Sequence, residues 1–402
     1  MKKKIIKVVA LLVMFSGFMT INKISVSADS IDTWMPDVNL QQAVAEALTM
    51  NVEDITKADM KNLTSLTAIE KRISNIQGLE EATNLISLDL SNNTSLPSNK
   101  NTISDITPLS NLTSLTSLKL KHNLVSDISV VANLTSLTSL GLGGNQIVDI
   151  SPISGLTSLT ELGFYTNQVT DISPIKDLTS LTILKLNVNN IQSIAPIEGM
   201  VALTNLELSS NQITDITPIR NLTALSYLNL TNNQINDITP LKTHMDNNIN
   251  IAVENQNIIL ENISIAQINT VHTQKNIVKD EHGNIITLTP STGNGNYDPI
   301  TDAITWSIID IEENAQLQST WTYASSSLRF GYSGKIIQPY DFEKTGGTIE
   351  ESNETTPTNP VTTSTTQSSV IKTGDNTPVE LLGLGMLALG TVLLATRRKK
   401  VN

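Results

Sequence analysis

The stretch that decides the fold reads LTSLTSLGLGGNQIVDISPISG over residues 134–155, and LTSLTELGFYTNQVTDISPIKD follows it over residues 156–177. Both segments are 22 residues long and carry leucine, asparagine, aspartate and proline at the same places. We define the framework asparagines as the residues that recur at this period: Asn101, Asn123, Asn145, Asn167, Asn189, Asn211 and Asn233. Proline stands seven positions after every framework asparagine except one, where Val130 replaces it. Such a fixed period is typical of repeat proteins.

The repeat unit indicates a leucine-rich repeat. A pattern of leucine, any residue, then leucine or phenylalanine precedes each asparagine from Asn123 onward, as in Leu118-Lys119-Leu120. Each unit forms one short strand and one irregular or 3₁₀ turn, and it buries its leucines only by stacking on its neighbours. The framework asparagine can satisfy backbone groups where the chain leaves the sheet. Proline suits the turn because it lacks an N–H and has a fixed φ.

NLTSL starts at Asn62, Asn111 and Asn133, and each copy matches the N-glycosylation pattern. The related GLTSL from Gly155 and DLTSL from Asp177 keep the leucines and lose the asparagine, so we interpret the motif as scaffold rather than glycan acceptor. The copy at Asn62 is three residues out of frame, which places it at the edge of the array. Eight extra residues within 94–101 predict a loop, and a tolerated surface loop is favoured over a binding element.

Both ends of the chain differ from domain sequence. Residues 1–28 combine lysines, an apolar run and the small residues before Ala28, which predicts a secretory signal cleaved after Ala28. Its removal takes away five lysines and no acids, so the net charge moves from −12 to −17, which argues against nucleic-acid binding. Residues 343–369 form a Thr/Ser/Pro-rich linker. Residues 381–396 are an uncharged apolar segment, and the basic tail Arg397–Lys400 follows.

Residues 29–70 are predicted to form a helical cap over the first repeat. Apolar residues recur at helical spacing at Leu40, Ala43, Val44, Ala47 and Leu48. A second short helix is expected at Thr56, where Thr56-x-x-Asp59 has the form of a capping box.

The cap, the signal and the 22-residue repeat with its N-x-I-x-D-I-x-P pattern resemble the internalins of Listeria and related Gram-positive bacteria. After the repeats of 71–257, residues 258–342 show alternating runs, and Ile304-Thr305-Trp306 and the segment 332–339 look like the Ig-like domain of that family. The resemblance implies an α/β leucine-rich-repeat solenoid. Its sheet would be curved and parallel, with convex 3₁₀ or irregular turns, a helical cap and a C-terminal all-β Ig-like domain.

The resemblance also implies a mode of anchoring. In internalin-like sorting signals a sortase cleaves L-P-x-T-G after the threonine and joins it to peptidoglycan. Residues 370–402 are similar, with Lys372, Thr373 and Gly374 matching and Val370 and Ile371 replacing leucine and proline. The sequence therefore leaves two fates open: anchoring to the cell wall by sortase, or retention in the membrane by the apolar segment 381–396.

In internalins the concave face of the array binds a host protein. Alternation along each strand predicts that the positions six, four, two and one before the framework asparagine lie on that face. We place the candidate site at Tyr165 and Tyr227, because aromatic residues are frequent interface anchors. The remaining candidates are Ile183, Lys185, Val188, Glu161, Glu207, Lys119 and His122. The alternative, scattered exposed residues on a solvated sheet, stays open.

The predicted function is therefore that of a surface protein that binds a host protein in adhesion, invasion or virulence. The alternative is a cell-envelope structural or interaction protein without a host receptor, and a wall hydrolase is disfavoured. No cysteine and no catalytic or metal-ligand spacing occurs, so we expect no enzyme activity and no cofactor. KDEHGN from Lys279 is interpreted as a polar hairpin turn rather than a calcium loop. The protein is expected to be a monomer.

Overall fold

The computed structural model describes residues 30–93, 97–265, 270–292, 294–308, 316–324 and 331–342. The predicted signal (1–28), linker (343–369) and anchor (370–402), with Lys372, Thr373 and Gly374, lie outside these ranges. Within the part of the chain that is described, no helix is long and apolar enough to cross a membrane.

The α-helices are α1 Ile31–Trp34, α2 Val38–Leu48 and α3 Lys242–Asp246. The strands of the repeats are β1 Ser65–Thr67, β2 Ser87–Asp89, β3 Ser117–Lys119, β4 Ser139–Gly141, β5 Glu161–Gly163, β6 Ile183–Lys185, β7 Asn205–Glu207 and β8 Tyr227–Asn229. The later strands are β9 Asn250–Ile259, β10 Ile263–Ile265, β11 Thr270–Lys275, β12 Thr289–Pro290, β13 Asn296–Asp298, β14 Ala303–Ile308, β15 Gln316–Tyr323 and β16 Tyr332–Phe342.

Strands β1 to β8 pair in parallel and in sequence order, and equivalent residues stand side by side, as Leu118 does with Leu140. The central leucine of each strand is almost completely buried, and the residues on either side of it point away from the core. Each predicted proline is the second residue of a 3₁₀ turn, as in Ser151–Ile153 and Ser173–Ile175. The solenoid predicted from the period is confirmed.

The framework asparagines form a ladder through the array. The Asn167 Oδ1 accepts the N–H of Ile147 at 3.0 Å, and its Nδ2 donates to the carbonyls of Leu142 at 3.0 Å and Phe164 at 2.9 Å. The other six framework asparagines repeat this pattern. Each amide therefore ties its own repeat to the preceding one, as the sequence predicts.

The ladder ends on a glutamine. Asn255 stands 22 residues after Asn233, but it is exposed and has a φ of 57°. Gln256 takes the ladder position instead: its Oε1 accepts the N–H of Ile235, and its Nε2 donates to the Leu230 carbonyl, both at 3.0 Å. The longer glutamine side chain reaches across from a position one residue later.

The predicted insertion lies between β2 and Asn101, at the end of the strand. The Asn92 Nδ2 donates to the carbonyls of Asn101 and His122, so the insertion is fastened at its base. The Arg72 guanidinium donates to the Asn99 side-chain oxygen at 2.6 Å and to the Ser98 carbonyl at 3.2 Å.

The cap consists of α1, α2 and two 3₁₀ turns, Val52–Asp54 and Asp59–Asn62. Leu40, Ala43 and Val44 are buried as predicted, but Ala47 is exposed, because the helix turns that position away from the first repeat. The segment at Thr56 forms a 3₁₀ turn rather than an α-helix, and Asp59 accepts the Thr56 N–H at 3.0 Å.

The NLTSL copy at Asn62 is out of frame because its second leucine, Leu66, is itself a strand leucine. Leu66 is buried and pairs with Leu88. Strand β1 therefore belongs to the sheet although it lies within residues 29–70.

After the repeats, β9 continues the sheet beside β8 and runs across residue 257. It pairs in parallel with β16, which continues to β15 and β12, while β11, β14 and β13 form a separate three-stranded sheet. Trp306 is buried on β14 and stacks on His272. The Tyr332 hydroxyl donates to the Ile235 carbonyl at 3.0 Å and thereby links β16 to the last repeat.

Candidate functional site

The candidate surface is the face of β1 to β8 that points away from the core. It carries three rows of side chains, at six, four and two positions before each framework asparagine. In β5 and its continuation these are Glu161, Gly163 and Tyr165, and they alternate with the buried Leu162 and Phe164. The alternation predicted from sequence is confirmed for these rows.

A depression of about 280 Å³ opens on this face. Gly141 and Gly163 stand side by side in register on β4 and β5, and the absence of side chains leaves the sheet bare between Lys119 on β3 and Lys185 on β6. The residues around the depression are Lys121, Leu140, Gly141, Glu161, Leu162, Gly163, Tyr165, Lys185, Asn187 and Glu207. We call this feature the glycine depression.

Tyr165 forms one wall of the glycine depression because Gly143 leaves room for its ring. A Cβ atom on Gly143 would stand only 2.3 Å from Tyr165 Cε1. Likewise, a Cβ on Gly144 would lie 2.1 Å from His122 Nδ1. The rings of His122 and Tyr165 meet edge to face with centroids 5.8 Å apart. The two glycines thus allow both rings to lie down on the sheet.

Charges of both signs surround the depression. The Lys185 Nζ lies 2.9 Å from Glu207 Oε1, and this hydrogen-bonded pair raises the pKa of Lys185 despite its partial burial. The Ser139 hydroxyl donates to Glu161 at 3.1 Å. Among the described residues, no ion pair involves Lys119 or Lys121.

The neighbouring rings have shifted pKa values. Burial raises the pKa of the Tyr165 phenol. Burial and the nearby Lys100 and Lys121 lower the pKa of His122, so the ring is neutral at pH 7 and the positive charge at this wall comes from lysines.

The structure brings some of the predicted site residues together and separates others. Tyr165, Glu161, Lys185 and Glu207 line one depression. Lys119 lies beside Gly141 at the border of the depression. The His122 ring contacts the ring of Tyr165 edge to face.

Ile183 and Tyr227 do not line the glycine depression. Tyr227 lies three strands from β5 and in the row of Glu161, because the register runs Glu161, Ile183, Asn205, Tyr227. Tyr165 belongs to the row four residues further along each strand, so the two tyrosines are offset along the strands as well as across them.

Val188 occupies a different kind of position. The residue directly before a framework asparagine has a left-handed backbone in repeat after repeat, with φ of 57° at His122, 53° at Thr166 and 58° at Val188. This row faces outward because the chain turns out of the sheet there, and not because of strand alternation. Val188 is 44% exposed and β-branched, and such side chains are strained at positive φ.

Val188→Asn is expected to raise the free energy of unfolding by about 1 kcal/mol, because asparagine tolerates the left-handed conformation and Asn232 already occupies the equivalent position with φ of 58°. Chemical denaturation would measure the change. Val201→Asn, at an exposed valine without positive φ, is the control and should bring no gain. Equal or lower stability of Val188→Asn would contradict the strain argument.

Strand alternation places Gly141, Gly143, Gly163, Lys121 and Asn187 on this face, but the candidate residues chosen from the sequence do not include them. The signal was present, since glycine stands at 141, 143 and 144, where the preceding repeat has Lys119, Lys121 and His122, and again at 163, where the following repeat has Lys185. Asn187 Oδ1 is buried in the depression without a hydrogen-bond partner.

The KDEHGN segment forms a hairpin turn, as predicted. Lys279 and Ile285 bridge in antiparallel fashion, and Gly283 has a φ of 82°. Asp280 Oδ1 accepts the N–H groups of His282 and Asn284, both at 2.8 Å. Asp280, Glu281 and His282 place possible metal-ligand atoms within 4.8 Å of one another, but these hydrogen bonds show that the aspartate shapes the turn.

The repeats match a known sequence family, "Leucine Rich repeats (2 copies)", over residues 135–177, 179–221 and 201–243. No curated protein sequence matches the chain. Among solved structures, internalin C2 of Listeria monocytogenes is 35% identical, with a TM-score of 0.48, over 53% of this chain and 91% of that one. The internalin inlF of the same species is 31% identical, with a TM-score of 0.33, over 59% of this chain and 87% of that one.

The family match, the register of the strands and the asparagine ladder agree with one another. The chain is therefore a leucine-rich-repeat protein that resembles the Listeria internalins.

Proposed function

We propose that the chain is an internalin-type surface protein whose concave sheet face binds a protein of the host. The observation that carries the proposal is the glycine depression, in which Tyr165 and the charged residues Glu161, Lys185 and Glu207 surround uncovered sheet. Tyrosine is enriched in protein interfaces and frequently supplies their anchors, and the charged residues around Tyr165 offer complementary groups to a partner. The proposed role is binding rather than catalysis.

The C-terminal region supports this assignment. We assign residues 258–342 to the Ig-like class, because the region forms strands of two sheets and buries Trp306 on one sheet and Trp321 and Tyr332 on the other. Strand β16 pairs with β9, so the region continues the repeat sheet directly. It would then hold the end of the array rigid, which reduces the entropy lost when a partner binds.

Tyr165→Ala combined with Tyr227→Ala is expected to abolish most binding of the mature protein to host-cell surfaces while leaving its thermal midpoint nearly unchanged. Both side chains are half-buried on the concave sheet face and are not part of the leucine core. Flow cytometry with labelled protein would measure the binding. The single variants separate the two positions, and we expect Tyr165→Ala to account for the larger loss.

Val201→Ala, at a 59% exposed position on the convex turns, is the control for removal of a surface hydrophobic residue. Full binding by the double variant would move the interface away from the concave face. Binding of wild-type protein to bacterial wall polymer but not to host cells would favour the envelope role.

The proposed location is the bacterial surface, with wall anchoring through Lys372, Thr373 and Gly374 or retention by residues 381–396. Release from cells by muramidase would support wall linkage. Release by detergent alone would support retention in the membrane.

A further inference from the structure

The backbone conformation does not require glycine at positions 141 and 163. Neither has a positive φ, unlike Gly144. A methyl group on Gly163 would meet only Tyr165 Cδ1, at 3.9 Å, which is ordinary contact. On Gly141 it would meet the flexible Lys121 side chain, with Cε at 3.0 Å. Glycine within a strand weakens it, and it often marks a place where a ligand or another backbone approaches closely.

One wall of the glycine depression is cationic. The side chains of Lys119 and Lys121 both lie against Gly141, since a Cβ there would stand 3.5 Å from Lys119 Cγ and 3.0 Å from Lys121 Cε. Lys121 also stands beside His122, whose pKa is lowered by burial and by the nearby Lys100 and Lys121. This positive wall occurs in a chain whose net charge is −12.

The two carboxylates of the depression share one cationic neighbour, Lys185. Glu207 pairs with Lys185 at 2.9 Å. Glu161 accepts the Ser139 hydroxyl and lies close enough to Lys185 to contribute to that lysine's raised pKa. The described ion pairs, in contrast, leave Lys119 and Lys121 without an acidic partner. At and beside the depression, Lys119, Lys121 and Lys185 therefore exceed Glu161 and Glu207 by one positive charge, because the two carboxylates share Lys185.

We infer that the glycine depression receives an acidic side chain, an aspartate or glutamate on a protruding loop of the partner protein. The loop approaches the bare sheet at Gly141 and Gly163, and its carboxylate pairs with Lys119 and Lys121. Tyr165 packs against the stem of the entering side chain. This inference rests on the proposed function and names the chemistry that the partner offers to the concave face.

A peptide selection tests the inference without knowledge of the natural partner. The mature full-length protein would be panned against a displayed library of disulfide-cyclised nine-residue peptides, which imitate protruding loops. Binders would be sequenced and then measured against three variants: Gly163→Val, the pair Lys119→Glu with Lys121→Glu, and Lys176→Glu. The last is an exposed lysine on a convex turn and serves as the matched charge control.

We expect the selected peptides to carry an aspartate or glutamate whose replacement by the corresponding amide weakens binding about tenfold or more. Gly163→Val and the double lysine variant should weaken binding by at least as much, while Lys176→Glu leaves it unchanged. Gly163→Val should keep or raise the thermal midpoint, because valine favours strands. That result separates loss of the site from loss of the fold.

Peptides enriched in lysine or arginine, or binders that tolerate Gly163→Val, would overturn the inference, and so would a selection that yields no binder. Failure of the proposed function looks different: peptides would bind as expected although host cells do not bind the protein. Conversely, host-cell binding that survives both Gly163→Val and the double lysine variant would retain the function and reject this subsite.

Discussion

Asp37→Ala is expected to lower the free energy of unfolding by about 3 kcal/mol, because one carboxylate joins the cap to the first repeat. Its Oδ1 accepts the N–H groups of Asn39 at 3.0 Å and Leu40 at 3.1 Å, where α2 begins. Its Oδ2 accepts the N–H groups of Ser74 at 2.8 Å and Asn75 at 3.1 Å. Substitution by alanine leaves all four donors without this acceptor. Chemical denaturation monitored by circular dichroism would measure the loss.

The same contacts predict how the loss depends on pH. Burial raises the pKa of Asp37, but the hydrogen bonds from Ser74, Asn75 and Leu40 outweigh burial and hold it below its ordinary value. A carboxyl group with a lowered folded-state pKa stabilises the fold at pH above its unfolded value of about 3.9, and this contribution is lost as pH falls through the folded-state pKa. The difference between wild type and Asp37→Ala should therefore shrink in acid.

Asp54→Ala is the control, because Asp54 is exposed in the same cap and its carboxylate is contacted by the Asn51 side chain. It should cost much less than Asp37→Ala. A difference between wild type and Asp37→Ala that stays constant from pH 7 to about pH 2 would show that the carboxylate charge is not what joins cap and repeat.

Asn167→Ala is expected to lower the free energy of unfolding by about 2–3 kcal/mol, because it removes a rung from the middle of the ladder. The Ile147 N–H and the carbonyls of Leu142 and Phe164 lose their bonds to the asparagine amide. Alanine has no polar side-chain atom that could replace these hydrogen bonds. Differential scanning calorimetry should show a lower midpoint and, because repeats stabilise their neighbours, a broader transition.

Asn133→Asp is the matched control, since Asn133 belongs to an NLTSL copy and is exposed. It should change the midpoint only slightly. If Asn167→Ala melted at the same temperature as Asn133→Asp, the ladder would not be a principal source of stability.

The sequence by itself determined the parts of the protein that recur. A period of 22 residues places equivalent side chains in register. The pattern of one unit therefore predicted the strand, the buried leucines and the proline turn of every repeat. It also predicted the hydrogen-bonding role of the framework asparagines, such as Asn167. The period also predicted the insertion within residues 94–101, because residues in excess of the 22-residue unit form a loop outside the regular repeat. The period does not describe the end of the ladder, because Asn255 stands 22 residues after Asn233 but the longer side chain of Gln256 forms the last rung.

Only the tertiary structure decided the site. Gly141 and Gly163 are 22 residues apart in sequence and adjacent in space, and the depression they leave depends on which side chains stand on the strands to either side. The left-handed turn at Val188 likewise follows from the path of the chain out of the sheet, which strand alternation does not describe. A repeated pattern encodes what neighbouring units share. The binding surface is made by the residues in which they differ, and their effect depends on contacts between strands that no single unit contains.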